Sequence, residues 1–187
     1  MTRTEVFSAH LPGTPVGTLK LWATHEGLRR LDFRSGPDLA RPDERLSSEP
    51  SPPLLNETLE ALRAYFAGEA QTLDVPLDLG SITDFQRRVY DHLRTVPYGR
   101  VTSYGEVAHA LDLGDAGARA VGQAVGANPV AIVIPCHRVV SADGSLHGFS
   151  GGLGRKAILL RLEGIEVDGE SASSKVHPEV LRLPLWE

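Results

Sequence analysis

The fold of the second half of the chain is decided by residues 103–128, "SYGEVAHALDLGDAGARAVGQAVGAN". Ser103 and Glu106 have the three-residue spacing of a capping box, which predicts that a helix begins there. The turn "DLGDAG" follows, and then a second predicted helix from Ala118 to Asn128. Two helices joined by a short glycine-containing turn are the pattern of a helix-turn-helix unit, although proteins without that function share this pattern.

The second of these helices carries few large side chains. Alanine and glycine fill most of its positions, and Arg119 is its one long charged residue. Gly122 and Gly126 lie inside it, although glycine costs roughly 1 kcal/mol relative to alanine in a helix interior. Two interpretations stay open: the helix backbone approaches another molecule closely, or it packs tightly on another helix.

The chain has one cysteine, Cys136, in the apolar run "IVIPCHRVV", residues 132–140. A single cysteine forms no internal disulfide, so this thiol is either an inert buried group or a reactive one. A thiol is a strong nucleophile as the thiolate, and the adjacent His137 can take its proton directly or through a water molecule.

Glu163 is a candidate partner for this histidine. It ends the predicted helix "GRKAILLRLEG", residues 154–164, where a carboxylate opposes the helix dipole. Such a residue either has a partner or is simply solvated, and both alternatives stay open. A carboxylate that orients a histidine beside a nucleophile would complete a catalytic triad.

A third helix and a separate first domain are predicted upstream. Thr83 and Gln86 form another capping box, and Pro97 ends the helix that follows. We place a domain boundary near residue 80, which gives domains 1–80 and 81–187.

The first domain is predicted to be α/β. Residues 17–33, "GTLKLWATHEGLRRLDF", are two partly alternating runs around a glycine-bearing turn and predict a β-hairpin. Residues 34–53 have the composition of an exposed loop, whereas 54–68 place leucines on one helical face, with Gly68 as C-terminal cap. Residues 69–82 predict a linker with one short extended piece.

Composition limits the classes of function. The chain is 41% hydrophobic and 23% charged, as in ordinary soluble proteins, and it has no apolar run of membrane-spanning length and no signal peptide. We therefore expect a cytoplasmic protein with no membrane partner. The net charge of −5 argues against coating nucleic acid by bulk charge, but residues 84–161 carry 9 Lys and Arg against 6 Asp and Glu, which leaves room for a phosphate-facing surface there.

Cofactor and metal sites find no support. Neither a G-x-x-x-x-G-K-[ST] loop nor a G-x-G-x-x-G motif is present, and the 7 histidines include no close pair at ligand spacing. We predict neither a cofactor nor a metal.

Several motifs stand together in residues 128–164, "NPVAIVIPCHRVVSADGSLHGFSGGLGRKAILLRLEG". P-C-H-R-V is present at residues 135–139, F-S-G-G at residues 149–152, and "LRLEG" closes the stretch. In this combination the chain resembles the O6-alkylguanine-DNA alkyltransferases, repair proteins that take an alkyl group from guanine O6 onto their own cysteine. The likeness runs from about residue 83 to 165 and is weaker over residues 1–80.

The resemblance implies a fold and an activity. The first domain would be an α/β domain similar to ribonuclease H, and the second a mainly α domain with a winged helix-turn-helix. The protein would repair double-stranded DNA as a single-turnover enzyme and a monomer, with O6-alkylguanine flipped out of the duplex and the recognition helix in the minor groove. Members that bind zinc do so through cysteines of the first domain, and this chain has none there.

The same resemblance implies five catalytic residues. Cys136 matches the alkyl acceptor, His137 the group that takes its proton through a water molecule, and Glu163 the carboxylate that orients the histidine. Asn128 matches a buried hinge between the recognition helix and the active-site turn. Tyr104 matches the tyrosine that contacts a DNA phosphate and helps donate to guanine N3.

Five further residues match substrate or DNA contacts of the family. Arg119 matches the arginine that fills the gap left by the flipped base, and the Val139 carbonyl a contact to the guanine amino group. Ser150 matches a donor that faces O6, and Lys156 a lysine near the pocket loop. Phe149 replaces a tyrosine found in many relatives, which retains stacking but removes a hydroxyl. The turn "DLGDAG", which separates the positions of Tyr104 and Arg119, is one residue longer than in some relatives.

Three alternatives come from other classes. Alkyltransferase-like binding proteins share the scaffold but carry tryptophan at the cysteine position, which Cys136 argues against. A thiol hydrolase would turn over small esters or amides and ignore DNA. A structural protein with an inert buried cysteine would leave Arg119 and the bare helix unexplained.

Overall fold

The computed structural model describes residues 3–33, 40–42, 44–114 and 116–177. They belong to two compact units, Met1–Ser81 and Ile82–Glu187. Some of the sequence predictions lie outside the described residues: positions 34–39 and 43 of the predicted loop, Asp115 of the predicted turn, and positions 178–187 of the predicted second domain.

A four-stranded sheet forms the core of the first unit. Its strands are β1 (Thr4–Thr14), β2 (Gly17–Ala23), β3 (Leu28–Asp32) and β4 (Glu44–Leu46), in the order β3-β2-β1-β4. β2 pairs antiparallel with both β1 and β3, and β4 pairs parallel with β1. The β2–β3 pairing confirms the predicted hairpin. β4 lies within the region predicted to be a loop, and that part of the prediction is wrong.

Helix α1 (Pro53–Phe66) packs against β1 and β3. Leu55, Leu59 and Leu62 are buried on the face that the leucine spacing predicts. Gly68 has φ of +74°, a left-handed conformation that glycine adopts without strain, and its N–H donates to the Tyr65 carbonyl at 3.1 Å. The helix therefore ends where the sequence predicts. In the predicted linker, Leu77 forms a single β-bridge with Leu28, which is the expected short extended piece.

The second unit is mainly α-helical. It contains α2 (Asp84–Thr95), α3 (Tyr104–Ala110), α4 (Gly117–Gly126), α5 (Leu153–Leu162), a 3₁₀ turn (Cys136–Arg138) and the short strands β5 (Thr102–Ser103) and β6 (Val139–Val140). The two strands pair in parallel. α3 and α4 pack on each other, and α2 packs on both, which is the helix-turn-helix arrangement that the sequence predicts.

Both predicted capping boxes are present. The Gln86 N–H donates to the Thr83 hydroxyl at 3.1 Å, and the Thr83 N–H donates to the Gln86 side chain at 3.0 Å. At α3 the Glu106 N–H donates to the Ser103 hydroxyl at 3.1 Å, while the Ser103 N–H donates to the Glu106 carboxylate at 2.6 Å. Each box satisfies two backbone donors that a helix start otherwise leaves unpaired.

The glycines of α4 have different surroundings. At Gly117 a side chain would clash with Leu113. At Gly122 a Cβ would lie 3.8 Å from the Tyr104 ring, an ordinary contact, and at Gly126 a Cβ would meet nothing within 4 Å. Tight packing inside the unit thus explains Gly117 but gives no reason for Gly126.

No helix in the described part of the chain combines the length and the apolar character needed to cross a bilayer.

Candidate active site

The turn that delivers Cys136 is held by the side chain of Asn128. Its Nδ2 donates to the Ile134 carbonyl at 2.9 Å, and its Oδ1 accepts from the Val130 N–H at 3.0 Å. The same Ile134 carbonyl accepts the Cys136 N–H at 2.7 Å. Asn128 therefore fixes the oxygen from which the 3₁₀ turn of the cysteine begins.

The backbone of this turn is strained at Ile132. Its φ of +76° lies in the left-handed region, which is rare for a β-branched residue and costs roughly 1–2 kcal/mol. The Ile134 N–H closes the turn on the Val130 carbonyl at 3.0 Å, next to the two bonds from Asn128. These bonds stabilise a conformation that Ile132 would not adopt alone.

His137, Glu163 and Arg138 form a buried cluster beside the cysteine. His137 Nε2 lies 2.8 Å from Glu163 Oε1, and both side chains are fully buried. Arg138 binds the same carboxylate with two bonds of 2.9 Å, from Nε to Oε2 and from Nη2 to Oε1. Glu163 is thus partnered rather than solvated, which settles the alternative left open by the sequence.

The turn after α2 completes the surroundings of this cluster. The Gly99 N–H donates to Glu163 Oε2 at 3.2 Å, and Arg138 Nη1 donates to the Val96 carbonyl at 2.6 Å. The Tyr98 hydroxyl donates to the Leu162 carbonyl at 2.7 Å, one residue before Glu163. The catalytic candidate at the end of α5 is therefore held from both its side chain and its backbone.

Charge and burial act in opposite directions on this cluster. Burial alone would raise the pKa of Glu163, but His137 and Arg138 outweigh it and lower the pKa to about 2. Burial lowers the pKa of His137 in spite of the neighbouring Glu163. At neutral pH the carboxylate is therefore ionised and the imidazole is neutral.

The free nitrogen of the imidazole is the chemically important atom. A neutral His137 that faces Glu163 carries its proton on Nε2, so Nδ1 has a lone pair. Nδ1 is buried and has no hydrogen-bond partner among the described residues. A buried acceptor without a partner suits a position where a proton arrives during a reaction.

The Cys136 thiol is protonated in this state. Burial raises its pKa to about 11, although a hydrogen bond from Asn128, the charge of Lys156 and two backbone N–H groups oppose the rise. At pH 7 about one molecule in ten thousand would carry the thiolate. Cys136 therefore needs a base to become a nucleophile.

Two further predicted residues contact the segment that follows β6. The Tyr104 hydroxyl donates to the His147 carbonyl at 3.0 Å, and burial raises its pKa to about 12. Lys156 is fully buried, and its Nζ donates to the carbonyls of Val139 and Leu146 at 2.5 Å each and of His147 at 3.1 Å.

The remaining predicted residues lie on the surface or at its edge. Arg119 is exposed on α4, and no described residue forms an ion pair with it. Ser150 is exposed and Phe149 is half-buried, both in the segment between β6 and α5. The structure thus brings Cys136 and His137 together with the buried partners above and leaves these three at the periphery.

Access to the thiol is narrow, since Cys136 is only 2% exposed. A cavity of about 830 Å³ in this unit lies elsewhere, lined by residues 164–168 and 175–177 with Asp143 and Arg161. None of the predicted site residues lines that cavity. Within the described residues, no group of three or more His, Cys, Asp and Glu side chains could hold a metal ion.

Sequence reasoning missed the part played by Arg138. A cation inside the apolar run 130–140 is a signal that a buried anion lies nearby, because an unpaired buried charge is very costly. That signal does not tell which of the 24 acidic residues is the partner.

Comparisons with known proteins give matches to both units of the chain. Residues 84–165 match the family "6-O-methylguanine DNA methyltransferase, DNA binding domain", and residues 10–79 match "6-O-methylguanine DNA methyltransferase, ribonuclease-like domain". The methylated-DNA–protein-cysteine methyltransferase of Mycobacterium bovis is 52% identical over 61% of this chain and 68% of its own length. The protein of that name from Methanosarcina acetivorans is 40% identical over 81% of this chain and 94% of its own.

A solved structure is also similar. The crystal structure of Mycobacterium tuberculosis OGT in complex with DNA superposes with a TM-score of 0.71 at 41% identity, over 86% of this chain and 92% of that chain.

Proposed function

The chain belongs to the 6-O-methylguanine DNA methyltransferase family, and on that premise we propose that it repairs DNA by moving an alkyl group from guanine O6 to Cys136. The observation that carries this proposal is the single thiol next to a buried His137, whose Nε2 faces Glu163 and whose Nδ1 has no partner in the described part of the chain. Such a histidine can accept one proton from the thiol, most simply through one water molecule.

The reaction has two coupled parts. Cys136 loses its proton to His137, and the sulfur attacks the alkyl carbon in line with O6, so that a C–S bond forms while the C–O6 bond breaks. The electron pair of the broken bond stays on guanine, which takes up one proton from solvent. Glu163 stabilises the imidazolium formed meanwhile, which then returns its proton to solvent. The product thioether is not hydrolysed under mild conditions, so each molecule acts once.

Tyr104 supports the departure of guanine in this scheme. With a pKa of about 12 its phenol is protonated at neutral pH and can donate a hydrogen bond to guanine N3 as negative charge develops. To do so it leaves the His147 carbonyl that it binds in the DNA-free protein.

We infer that the protein approaches duplex DNA from the minor groove as a monomer. α4 offers an exposed face without large side chains at Gly126, with Arg119 on the same side to fill the place of a flipped base. All the proposed catalytic groups come from one chain, so one molecule suffices. A free acceptor thiol needs a reducing compartment, which favours the cytoplasm.

Incubation with an oligonucleotide that contains O6-methylguanine tests the proposal. We expect one methyl group per protein molecule, found by mass spectrometry on the Cys136 peptide, and no transfer by Cys136→Ala. Catalytic turnover, a label on another residue, or activity of Cys136→Ala would contradict it. Hydrolysis of small esters without any response to DNA would favour the thiol-hydrolase alternative.

A further inference from the structure

Lys156 is a fully buried lysine in a chain whose basic residues are mostly arginines. Only 3 of the 19 basic residues are lysines, and one of them, Lys156, is 0% exposed. Lys156 lies on α5, with its ammonium group inside the unit that carries Cys136. Burial of an ammonium ion is costly unless every N–H finds an acceptor, so this position needs a reason.

The reason lies in the three oxygens that surround Nζ. The carbonyls of Val139 and Leu146 lie 2.5 Å away and that of His147 lies 3.1 Å away, so all three N–H groups are used. Three acceptors that converge on one point suit a tetrahedral ammonium group. A planar guanidinium spreads its donors in a fork and cannot serve them equally, which explains why lysine is found here.

These three oxygens belong to the segments that surround the proposed site. Val139 lies on β6, directly after the 3₁₀ turn of Cys136, and Leu146 and His147 begin the segment that carries Phe149. The His147 carbonyl also accepts the Tyr104 hydroxyl, so the lysine links α5, β6, this segment and α3.

We propose that Lys156 is a positioning residue: its ammonium group fixes the carbonyls of Val139, Leu146 and His147 as the wall of the base pocket, and it does not itself contact DNA. This inference rests on the proposed function. The resemblance places Lys156 among the substrate or DNA contacts, whereas this inference gives it an internal role, because a fully buried ammonium with three internal acceptors has no donor left for a phosphate.

We call the three hydrogen bonds from the Lys156 ammonium group to these carbonyls the clamp, and we expect it to be sensitive to alkaline pH. Burial lowers the pKa of Lys156 to about 8, although the neighbouring Cys136 raises it. The other titratable groups near it are Tyr104, which shares the His147 oxygen, and His137, whose pKa the lysine charge helps to lower. A neutral amine keeps two N–H groups and turns a lone pair toward the third carbonyl, so the clamp loosens above pH 8.

Lys156→Met tests the role, because methionine nearly retains the length and removes the three donors. Lys175→Met is the matched control, since Lys175 is 49% exposed and pairs with Asp143 on the surface. We expect the transfer rate at saturating methylated DNA to fall about 100-fold in Lys156→Met and to stay unchanged in Lys175→Met. The affinity of Lys156→Met for undamaged duplex and the salt dependence of that affinity should equal those of wild type.

The opposite pattern would overturn the inference. A phosphate contact predicts weaker DNA binding in Lys156→Met, a salt slope smaller by about 1, and a normal rate at saturation. Equal transfer rates in wild type and Lys156→Met would refute the clamp alone, whereas no transfer by wild type would refute the proposed function and the clamp with it.

A measurement on wild type covers the case in which Lys156→Met does not fold. We expect the transfer rate to fall as pH rises above about 8, while the melting temperature does not fall between about pH 8 and 9. The depressed pKa of Lys156 makes folding more favourable as pH rises from 8, and the raised pKa values of Cys136 and Tyr104 oppose this only above about pH 9, so unfolding would not explain a loss of rate between pH 8 and 9. A rate that rises steadily to pH 9.5, as growing thiolate alone would produce, contradicts the clamp.

Discussion

Replacement of Glu163 by glutamine should damage both stability and transfer. The carboxylate has a pKa of about 2 in the folded protein against an ordinary 4.5, a shift of about 2.5 units. At 1.36 kcal/mol per unit, this shift contributes about 3 kcal/mol to folding at neutral pH. That figure agrees with the roughly 3–5 kcal/mol lost when one partner of a buried ion pair is removed.

The direction of the pH dependence follows from the depressed pKa. The contribution of Glu163 is complete above pH 4.5 and is lost as pH falls toward 2, because the unfolded chain takes up the proton first. The melting temperature of Glu163→Gln should therefore lie about 6–12 °C below that of wild type at pH 7. The two values should converge as pH falls below 4.5.

The alkyl-transfer rate of Glu163→Gln should fall by more than its loss of folding stability explains. Glutamine can donate its amide N–H to His137 Nε2, which moves the imidazole proton to Nδ1 and leaves no acceptor for the thiol proton. We expect a loss of up to about 10⁴-fold in single-turnover rate, measured at a temperature at which the variant is folded. Glu166→Gln, an exposed change three residues away, is the control. A folded Glu163→Gln that transfers at the wild-type rate would refute the assignment of His137 as base.

Three other measurements test separate parts of the site. Asn128→Ala should lower the free energy of unfolding, measured in urea, by about 1–3 kcal/mol, because the buried Val130 N–H and Ile134 carbonyl lose a partner. An unchanged free energy would contradict the role of Asn128 in holding the turn of Cys136. Gly126→Leu should leave the melting temperature equal or higher but weaken duplex binding in fluorescence anisotropy, and unchanged affinity would argue against close approach of DNA. Alkylation of Cys136 by iodoacetamide in the DNA-free protein should rise about tenfold per pH unit toward pH 11, and a plateau below pH 9 would be inconsistent with the buried thiol.

Local signals predicted the elements that local bonds determine. The boxes at Thr83 and Ser103 are closed by side chains three residues away, so the sequence contains everything needed to place those helix starts. β4 is different, because its three residues pair with β1, about forty positions earlier, and the segment itself has the composition of a loop.

The site shows the same division. The motifs around Cys136 and Glu163 predicted a nucleophile, its histidine and a carboxylate, and the structure brings the side chains of His137 and Glu163 into contact. The position of Glu163 at a helix end also marked it as a residue in need of a partner. The ion pair of Arg138 was not predicted because its partner carboxylate, on Glu163, lies 25 positions away in sequence. The burial of Lys156 was not predicted either, because a lysine between an arginine and an alanine gives no sign that its ammonium group binds three carbonyls.

The site keeps the Cys136 thiol protonated, and therefore weakly nucleophilic, until a substrate is bound. The pKa of Cys136 is about 11 and that of His137 lies below its ordinary 6.5, so transfer of the proton from sulfur to nitrogen is unfavourable in this state. A protein that reacts once has reason to keep its thiol protonated, because alkylation by any passing electrophile would end its use. In the proposed mechanism a docked base favours this proton transfer in two ways. A hydrogen bond from Tyr104 stabilises the departing guanine, and a water molecule bridges the sulfur to His137 Nδ1. Burial keeps the thiol protonated in the absence of a lesion, and selectivity would then come from the bonds that only a docked lesion can make.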